Sequence, residues 1–257
     1  MIPVLLLQNG LLVRSESFRV HQVLGNPIQE VTRFNEWNVD ELVYLDISRD
    51  DHYDLRRDDH KVRGLADPLG ILDAVSRTCF MPLTFGGRIG TLADIGERIN
   101  RGADKVAINT AAFRTPDLIT AGARAFGSQA IVVSIDALRH EDGRAEVFVD
   151  GGRTATGLAP DEWARAVERR GAGEILLQSI DRDGTGRGYD VDLIRSVTSA
   201  TTIPVIACGG VGVYEHYAAG VRAGAAAVAA ANIWHFKELS DRNGKRALAS
   251  AGIEVRL

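Results

Sequence analysis

The amino-acid sequence predicts a protein of the α/β class, folded as a closed (β/α)8 barrel of the TIM type. Short β-branched and aliphatic runs alternate with longer amphipathic segments along the 257 residues. Apolar strands that alternate with helices form parallel sheets whose two faces are both buried. Eight such units at this chain length are typical of a barrel, and an open doubly wound sheet is the alternative.

The predicted strands are apolar runs bounded by polar or glycine-containing turns. In chain order they cover residues 4–8, 42–46, 82–85, 105–109, 131–136, 175–179, 205–208 and 226–230. Amphipathic patterns predict helices between them, such as "PDEWARAVERR" at 160–170 and "VDLIRSVTSA" at 191–200. We expect a helix after each strand, as the barrel requires.

An internal repeat supports the barrel. "VDELVYLDI" (39–47) is similar to "AGEILLQSI" (172–180), "FGGRIG" (85–90) to "CGGVGV" (208–213), and "RGADKVAINTAAF" (101–113) to "AGAAAVAAANIWHF" (223–236). We therefore predict one TIM-barrel domain over residues 1–257, with half-barrels at approximately 1–125 and 126–257. The same alignment gives Leu6 in the first strand the position of Asp136 in the fifth.

Composition and charge argue against several function classes. The net charge of -4 gives no electrostatic reason to expect nucleic-acid or membrane binding. No apolar run approaches the ~18 residues that span a bilayer, and no signal peptide precedes the first strand. The two cysteines, Cys79 and Cys208, are too few for a disulfide framework. We expect a soluble cytoplasmic protein that binds neither nucleic acid nor membranes.

Paired glycines end two of the predicted strands, in "FGGR" after strand three and "CGGVG" after strand seven. Glycine lets backbone N–H groups approach a phosphate, and the helix N-terminus that follows favours an anion. "INTAA" (108–112) after strand four matches "AAN" (230–232) after strand eight, a common phosphate position in barrels. Four such loops predict two phosphate sites for a bisphosphorylated ligand, although glycine pairs also form simple tight turns.

Two acids stand at the same end of the predicted barrel. "SIDRDGTGRGYD" (179–190), after strand six, offers Asp183 and Gly184 as a substrate-binding turn, or as an Asp-Gly turn without a ligand. Asp136 ends strand five, where barrel enzymes place catalytic groups. An apolar mouth raises a carboxyl pKa toward the range of general acid–base catalysis. The alternative is that Asp136 caps the next helix or pairs with Arg139.

Charged residues begin three strands at the opposite end of the barrel, namely Glu41, Lys105 and Glu174. Their equivalent positions predict a charged layer that closes the barrel floor, with ordinary solvated strand ends as the alternative. The segment "SRDDHYDLRRDDHKVR" (48–63) contains acids and histidines that resemble metal ligands. Its balanced charge is more typical of a solvated lid, so we predict no metal site there, and no cofactor.

The sequence resembles the HisF family over essentially its full length. The matching stretches are "DELVYLDI", "GADKVAINTAA", "FGSQAIVVSIDA", "GGRTATG", "GAGEILLQSIDRDGT", "IPVIACGG" and the terminal "VRL". The resemblance implies a barrel with two phosphate sites and a HisH-like glutaminase on its N-terminal face. It also implies that ammonia from glutamine crosses the barrel to a bisphosphorylated ribulosyl formimino-carboxamide nucleotide, giving imidazole glycerol phosphate.

Carried over position by position, the resemblance implies roles for individual residues. Asp136 takes the place of the family's second catalytic aspartate, and Glu41, Lys105 and Glu174 take the place of the ammonia gate. Gln129 lies in the family's interface segment. The phosphate-binding positions, with the neighbouring Arg88 and Asp183, are Gly86, Gly87, Asn109, Thr110, Gly184, Gly209, Gly210, Ala231 and Asn232.

The departures from the family pattern fall in the active site. Leu6 replaces the first catalytic aspartate and cannot transfer a proton, and Arg14 replaces a lysine but is a poor proton donor. Arg88 stands in place of a third glycine and adds a cation to the first phosphate loop. Cys208 replaces a serine and Gln178 a threonine, while the gate's arginine has no counterpart.

These replacements resemble the HisF-like proteins of surface-polysaccharide biosynthesis, which act with a HisH-like glutaminase and a third enzyme to amidate a sugar. Our leading interpretation is an ammonia-accepting subunit of such a complex, which binds a phosphorylated small molecule and serves acetamidino formation. One alternative is the cyclase subunit of imidazole glycerol phosphate synthase in histidine biosynthesis. The other is a non-catalytic scaffold that activates the glutaminase.

Overall fold

The computed structural model describes residues 1–37, 39–49, 53, 66–237 and 239–256. The strands are β1 (Ile2–Gln8), β2 (Leu11–Glu16), β3 (Val20–Gly25), β4 (Leu42–Asp46), β5 (Leu83–Gly86), β6 (Lys105–Ile108), β7 (Ile131–Arg139), β8 (Ala145–Val149), β9 (Thr154–Ala155), β10 (Glu174–Ser179), β11 (Val205–Cys208) and β12 (Ala227–Ala230). The helices are α1 (Pro27–Glu36), α2 (Pro68–Ser76), α3 (Leu92–Asn100), α4 (Thr110–Arg114), α5 (Asp117–Phe126), α6 (Pro160–Arg169), α7 (Val191–Thr198), α8 (His216–Arg222), α9 (Ile233–Phe236) and α10 (Ser240–Ser250).

Parallel strands form a closed barrel with helices between them. The hydrogen-bonded order is β1, β4, β5, β6, β7, β10, β11 and β12, and β12 pairs with β1 to complete the ring. The (β/α)8 prediction is therefore confirmed, and the predicted strand ends agree with the observed ones within about three residues. In the described part of the chain, no helix is long and apolar enough to cross a bilayer.

A helix follows each barrel strand as predicted, but at two places an antiparallel hairpin that was not predicted comes before the helix. β1 continues into an antiparallel hairpin with β2 and β3, and β7 continues into one with β8 and β9. The first hairpin turns at Asn9 and Gly10, both with positive φ, which is the Asn-Gly sequence that favours a two-residue turn. Both hairpins extend from the mouth end of the barrel, above the first strand of each predicted half.

Strand alternation divides the apolar core into two layers. Leu5 and Leu7 pack outward against the helices, whereas Val4 and Leu6 belong to a separate cluster inside the barrel. Successive side chains of a strand point to opposite faces, so both faces of each strand are buried. By the same alternation, Asp136 points inward, since Val132 on its strand belongs to the interior cluster. Strand alternation therefore determines which side chains point into the barrel interior.

Candidate active site

A cavity of about 720 Å³ opens at the carboxyl ends of the barrel strands. This volume is within the range of small-molecule sites. The cavity brings together the predicted catalytic and phosphate-binding residues except Gly86, which packs between Leu45 and Ala107. The predicted residues that line the cavity are Leu6, Gly87, Arg88, Asn109, Thr110, Asp136, Asp183, Gly184, Gly209, Gly210, Ala231 and Asn232.

Asp136 is a buried carboxyl group on the wall of this cavity, with 5% of its surface exposed. Its Oδ1 accepts hydrogen bonds from the Ser134 hydroxyl at 3.2 Å and the Gln178 amide at 3.1 Å. Burial raises the pKa of Asp136 to about 7, although the bonds from Ser134, Gln178 and Asn109 act to lower it. A carboxyl group with this pKa exchanges a proton readily near neutral pH.

The alternative pairing of Asp136 with Arg139 is not observed. The Arg139 guanidinium instead forms two bonds to Asp190, at 2.7 and 2.8 Å. Asp190 also caps α7, since its carboxylate accepts a hydrogen bond from the Leu193 amide at 3.0 Å. Among the described residues, the Asp136 carboxyl group therefore forms neither a surface ion pair nor a helix cap.

Leu6 occupies the equivalent place in the other half of the mouth. It lies beside Leu45 in the register of β1 and β4, just as Asp136 lies beside Gln178 in the register of β7 and β10. Leu6 is 7% exposed and lines the cavity. One side of the mouth therefore carries an acid held by an amide, and the other side carries two leucines.

The first predicted phosphate loop has a cation built into it. Gly87 and Arg88 both have positive φ, and the Arg88 guanidinium contacts Asp46 with Nε 3.0 Å from Oδ2. The guanidinium also lies over the ring of Tyr53, 5.2 Å from its centroid. Arg98, which is 3% exposed, donates hydrogen bonds to the carbonyl oxygens of Gly87 and Arg88 and so fixes the loop.

Sequence reasoning missed the arginines on the rim next to this loop. Arg114 and Arg153 line the cavity, and both bind Asp150 on the segment that follows β8. The Thr110 hydroxyl accepts a hydrogen bond from the Asp150 amide at 3.0 Å, which joins the hairpin to the loop after β6. The stretch "GGRTATG" contains Arg153, but only barrel closure brings this arginine to the cavity.

The loops after β10 and β12, which carry the predicted site residues Asp183, Gly184 and Asn232, contact the hairpin formed by β2 and β3. The Ser15 hydroxyl donates to Asp183 at 2.6 Å, and the Asn232 amide donates to the Ser15 carbonyl at 2.9 Å. A Cβ on Gly184 would lie 2.4 Å from that carbonyl, so the close approach requires glycine. Burial raises the pKa of Asp183, against the hydrogen bonds from Ser15 and the Phe18 amide.

The three charged strand starts meet on the barrel floor. The Lys105 ammonium lies 2.7 Å from Glu174 and 3.1 Å from Glu41. Burial acts to lower the pKa of Lys105, but the hydrogen bonds that its ammonium group donates to both glutamates outweigh this effect and raise the pKa. These side chains are half-buried, unlike ordinary solvated strand ends. Gln129 lies at the same end, beside Gly173.

Thiol and metal chemistry have little support at the mouth. Burial raises the pKa of the Cys208 thiol to about 12, so it stays protonated and is a poor nucleophile. Across the described ranges, no three His, Cys, Asp or Glu side chains are grouped as metal ligands. Most of the 48–63 segment lies outside those ranges, and the absence of a metal there stays a prediction.

Comparison with known proteins identifies the family. The family model described as "Histidine biosynthesis protein" matches residues 1–240. A Caulobacter vibrioides protein named "Imidazole glycerol phosphate synthase subunit HisF" is 46% identical over 261 residues, covering 100% of this chain and 95% of the relative. The chain belongs to the HisF family. A HisF of the same name from Gluconacetobacter diazotrophicus is 43% identical over 258 residues, covering 99% of this chain and 95% of the relative.

Proposed function

We propose that this protein is the ammonia-accepting HisF subunit of a glutamine amidotransferase of the imidazole glycerol phosphate synthase kind. The observation that carries the proposal is the mouth cavity, which combines Asp136 with two glycine loops. The names of the two relatives support the synthase reaction, and neither refers to a sugar of a surface polysaccharide. The cyclase reaction of histidine biosynthesis is therefore our first candidate.

The ligand is a phosphorylated small molecule held between the two loops. In the first half, Gly87 and Arg88 line the cavity. In the second half, Gly209 and Gly210 offer backbone amides in the left-handed conformation, which suits a phosphate. Asn109 orients the region between them, since its amide donates to the Ser134 carbonyl at 3.1 Å.

Asp136 is the proton-transfer group in this proposal. Ammonia attacks as the neutral molecule, and the nitrogen releases a proton once the new C–N bond has formed. The Asp136 carboxylate accepts that proton, and the carboxylic acid returns it to a leaving oxygen or nitrogen of the substrate. Its pKa of about 7 suits both directions at neutral pH.

Ammonia enters from the barrel floor, through the layer formed by Lys105, Glu41 and Glu174. We place a HisH-like glutaminase on this N-terminal face, where its product reaches the interior without crossing bulk water. The ion-paired lysine closes the layer at rest, and its raised pKa keeps it charged at physiological pH. Displacement of Lys105 from one glutamate would open a path into the apolar interior.

A second candidate function follows from Leu6. A cyclisation that uses acids on both sides of the mouth lacks one of them here, because leucine cannot transfer a proton. Leu6 therefore favours an amidation that needs only one acid, with the barrel passing ammonia to a phosphorylated sugar and a third, sugar-amidating enzyme. The same mouth and floor would serve this reaction.

One experiment separates the two candidates. The native protein and its glutaminase are supplied with the ribulosyl formimino-carboxamide nucleotide, and substrate consumption is followed with glutamine and with free ammonium. Turnover by the native protein supports the cyclase, whereas no turnover with either nitrogen source rejects it. Stimulation of the glutaminase without any ligand binding at the mouth would support a scaffold instead.

The variant Leu6→Asp extends this test, with Leu45→Asp as its matched control. Both variants bury a carboxyl group at adjacent positions of the same register. The native protein is inactive in one possible outcome. If Leu6→Asp then gains turnover and Leu45→Asp does not, the protein is a diverged cyclase that has lost its first acid. No gain in either variant would leave amidation of another ligand as the better candidate.

A further inference from the structure

Gln178 has an unusual setting for an amide side chain. It lies inside the barrel on β10, it is 9% exposed, and its register partner on β7 is Asp136. The amide nitrogen donates to the Asp136 carboxylate at 3.1 Å and lies 3.2 Å from the Ser134 hydroxyl. A buried amide is costly unless it is hydrogen-bonded, so this position is chosen for its bonds rather than for packing.

The other half of the mouth shows what packing alone would select. Leu45 holds the register position of Gln178, and its neighbour across the strands is Leu6 instead of an acid. An amide therefore occurs in the half that keeps the acid, and leucine occurs in the half that lacks it. The strand geometry is the same at the two pairs of positions. The difference in residue types therefore reflects the presence or absence of the acid.

We propose that Gln178 is a positioning residue for Asp136, and that the Gln178 amide fixes the Oδ1 end of the carboxyl group and so orients this group toward the ligand in the cavity. The proposal rests on the proposed use of Asp136 as the proton-transfer group. The bonds from Ser134 and Gln178 end on Oδ1, Asn109 also bonds the carboxyl group, and Asp136 lines the cavity. A carboxyl group held in this way keeps a fixed direction relative to a reacting nitrogen.

The same bond sets the pH at which Asp136 takes up a proton. Burial raises its pKa, and hydrogen bonds from Ser134, Gln178 and Asn109 lower it. The nearby Asp183 raises it further, and Cys208 faces it as a neutral thiol. Loss of the Gln178 donor should therefore raise the pKa of Asp136, because a hydrogen bond to the charged form stabilises that form.

The test is a carbon-13 NMR titration of the Asp136 carboxyl group, assigned with the Asp136→Asn variant. Gln178→Met keeps the length of the side chain and removes the donor, and Leu45→Met is the matched control in the other half. We expect the midpoint to rise by about one to two pH units in Gln178→Met. Leu45→Met should keep the native midpoint.

Ser134→Ala is the second variant, in case Gln178→Met does not fold. It removes the hydroxyl that shares Oδ1, and it should raise the midpoint by a smaller amount. An unchanged midpoint in the folded Gln178→Met protein, or in Ser134→Ala if Gln178→Met does not fold, would overturn the proposal. An equal shift in Leu45→Met would overturn it too, because the effect would then be a general one of altered packing.

Activity provides a separate readout. In the cyclase assay, the limb of the pH profile that reports on Asp136 should move upward with the NMR midpoint in Gln178→Met. Gln178→Asn keeps an amide donor, so its limb should move by a smaller amount. If the midpoint moves but the native protein turns over no substrate, the positioning role stands and the cyclase function fails. If activity is present and its pH profile does not follow the midpoint, the positioning role fails.

Discussion

The two halves of the barrel mouth have the same strand register and different chemistry. Leu6 and Leu45 are neighbours across β1 and β4, and Asp136 and Gln178 are neighbours across β7 and β10. The repeated register supports our proposal of one domain built from two half-barrels. Strand geometry therefore tolerates an apolar pair or a polar pair at this level, and the choice between them decides which half can move a proton.

The glycine loops of the two halves differ in a similar way. Because Gly86 pairs with Leu45 and Cys208 with Gln178, the register aligns Gly87 and Arg88 with Gly209 and Gly210. The sequence alignment that matches Phe85 of "FGGRIG" with Cys208 of "CGGVGV" is therefore shifted by one residue from the alignment that the strand register gives. Arg88 has a left-handed backbone conformation where the other half has glycine. The first loop therefore carries backbone strain that the second lacks, and it has a side-chain cation in return.

Replacement of Asp136 should have the largest effect, because it removes the acid that distinguishes the second half of the mouth from the first. We expect Asp136→Asn to lower turnover by about 10² to 10⁴, because the second half would then be as inert in proton transfer as the first. The measurement is kcat with glutamine and with ammonium. Asp192→Asn, an exposed acid on α7, is the control, and native turnover in Asp136→Asn would remove Asp136 from the mechanism.

The same substitution should change how stability depends on pH. The folded pKa of Asp136, about 7, lies above the value of about 4 expected for the unfolded chain. Its contribution to stability is therefore full below pH ~4 and is lost as the pH rises to ~7, a loss of up to about 4 kcal/mol. Thermal unfolding should show Asp136→Asn gaining on the native protein across this window. A difference in Tm that does not vary with pH would contradict this.

Removal of the cation from the first loop should have a moderate effect. Arg88→Gly gives the first loop the residue found at Gly210, and we expect the affinity for inorganic phosphate to fall by about tenfold. Isothermal titration calorimetry measures it, with Arg144→Gly in an exposed turn as the control. Unchanged affinity would mean that Arg88 serves only Asp46 and Tyr53, and that the two loops bind phosphate alike.

The smallest effect should come from the hairpin contact. Ser15→Ala removes the hydroxyl bond to Asp183 and should cost roughly 1 kcal/mol, because the Phe18 amide still binds that carboxylate. Hydrogen exchange should become faster in residues 11–25, with no change in the β8–β9 hairpin. Ser17→Ala is the control, and equal acceleration in both hairpins would show a general loss of stability.

Much of the fold was predictable because it depends on local pattern. Apolar runs such as that of β1 and glycines after β5 and β11 mark strands and turns without knowledge of any partner. The hairpins after β1 and β7 were missed, since short alternating segments next to a long strand resemble loops until the pairing is known. Arg114 and Asp150 were missed at the rim for the same reason, because they meet only when the barrel closes.

The barrel, the inward direction of Asp136 and the loss of its counterpart at Leu6 can all be read from the amino-acid sequence. These follow from strand alternation and from the repeat, which are properties of the chain alone. The tertiary structure decided the contacts that give Asp136 its properties, since the Gln178 amide reaches it across 42 residues and Ser15 reaches Asp183 across 168. Such contacts depend on closure and register, which no short stretch of sequence specifies.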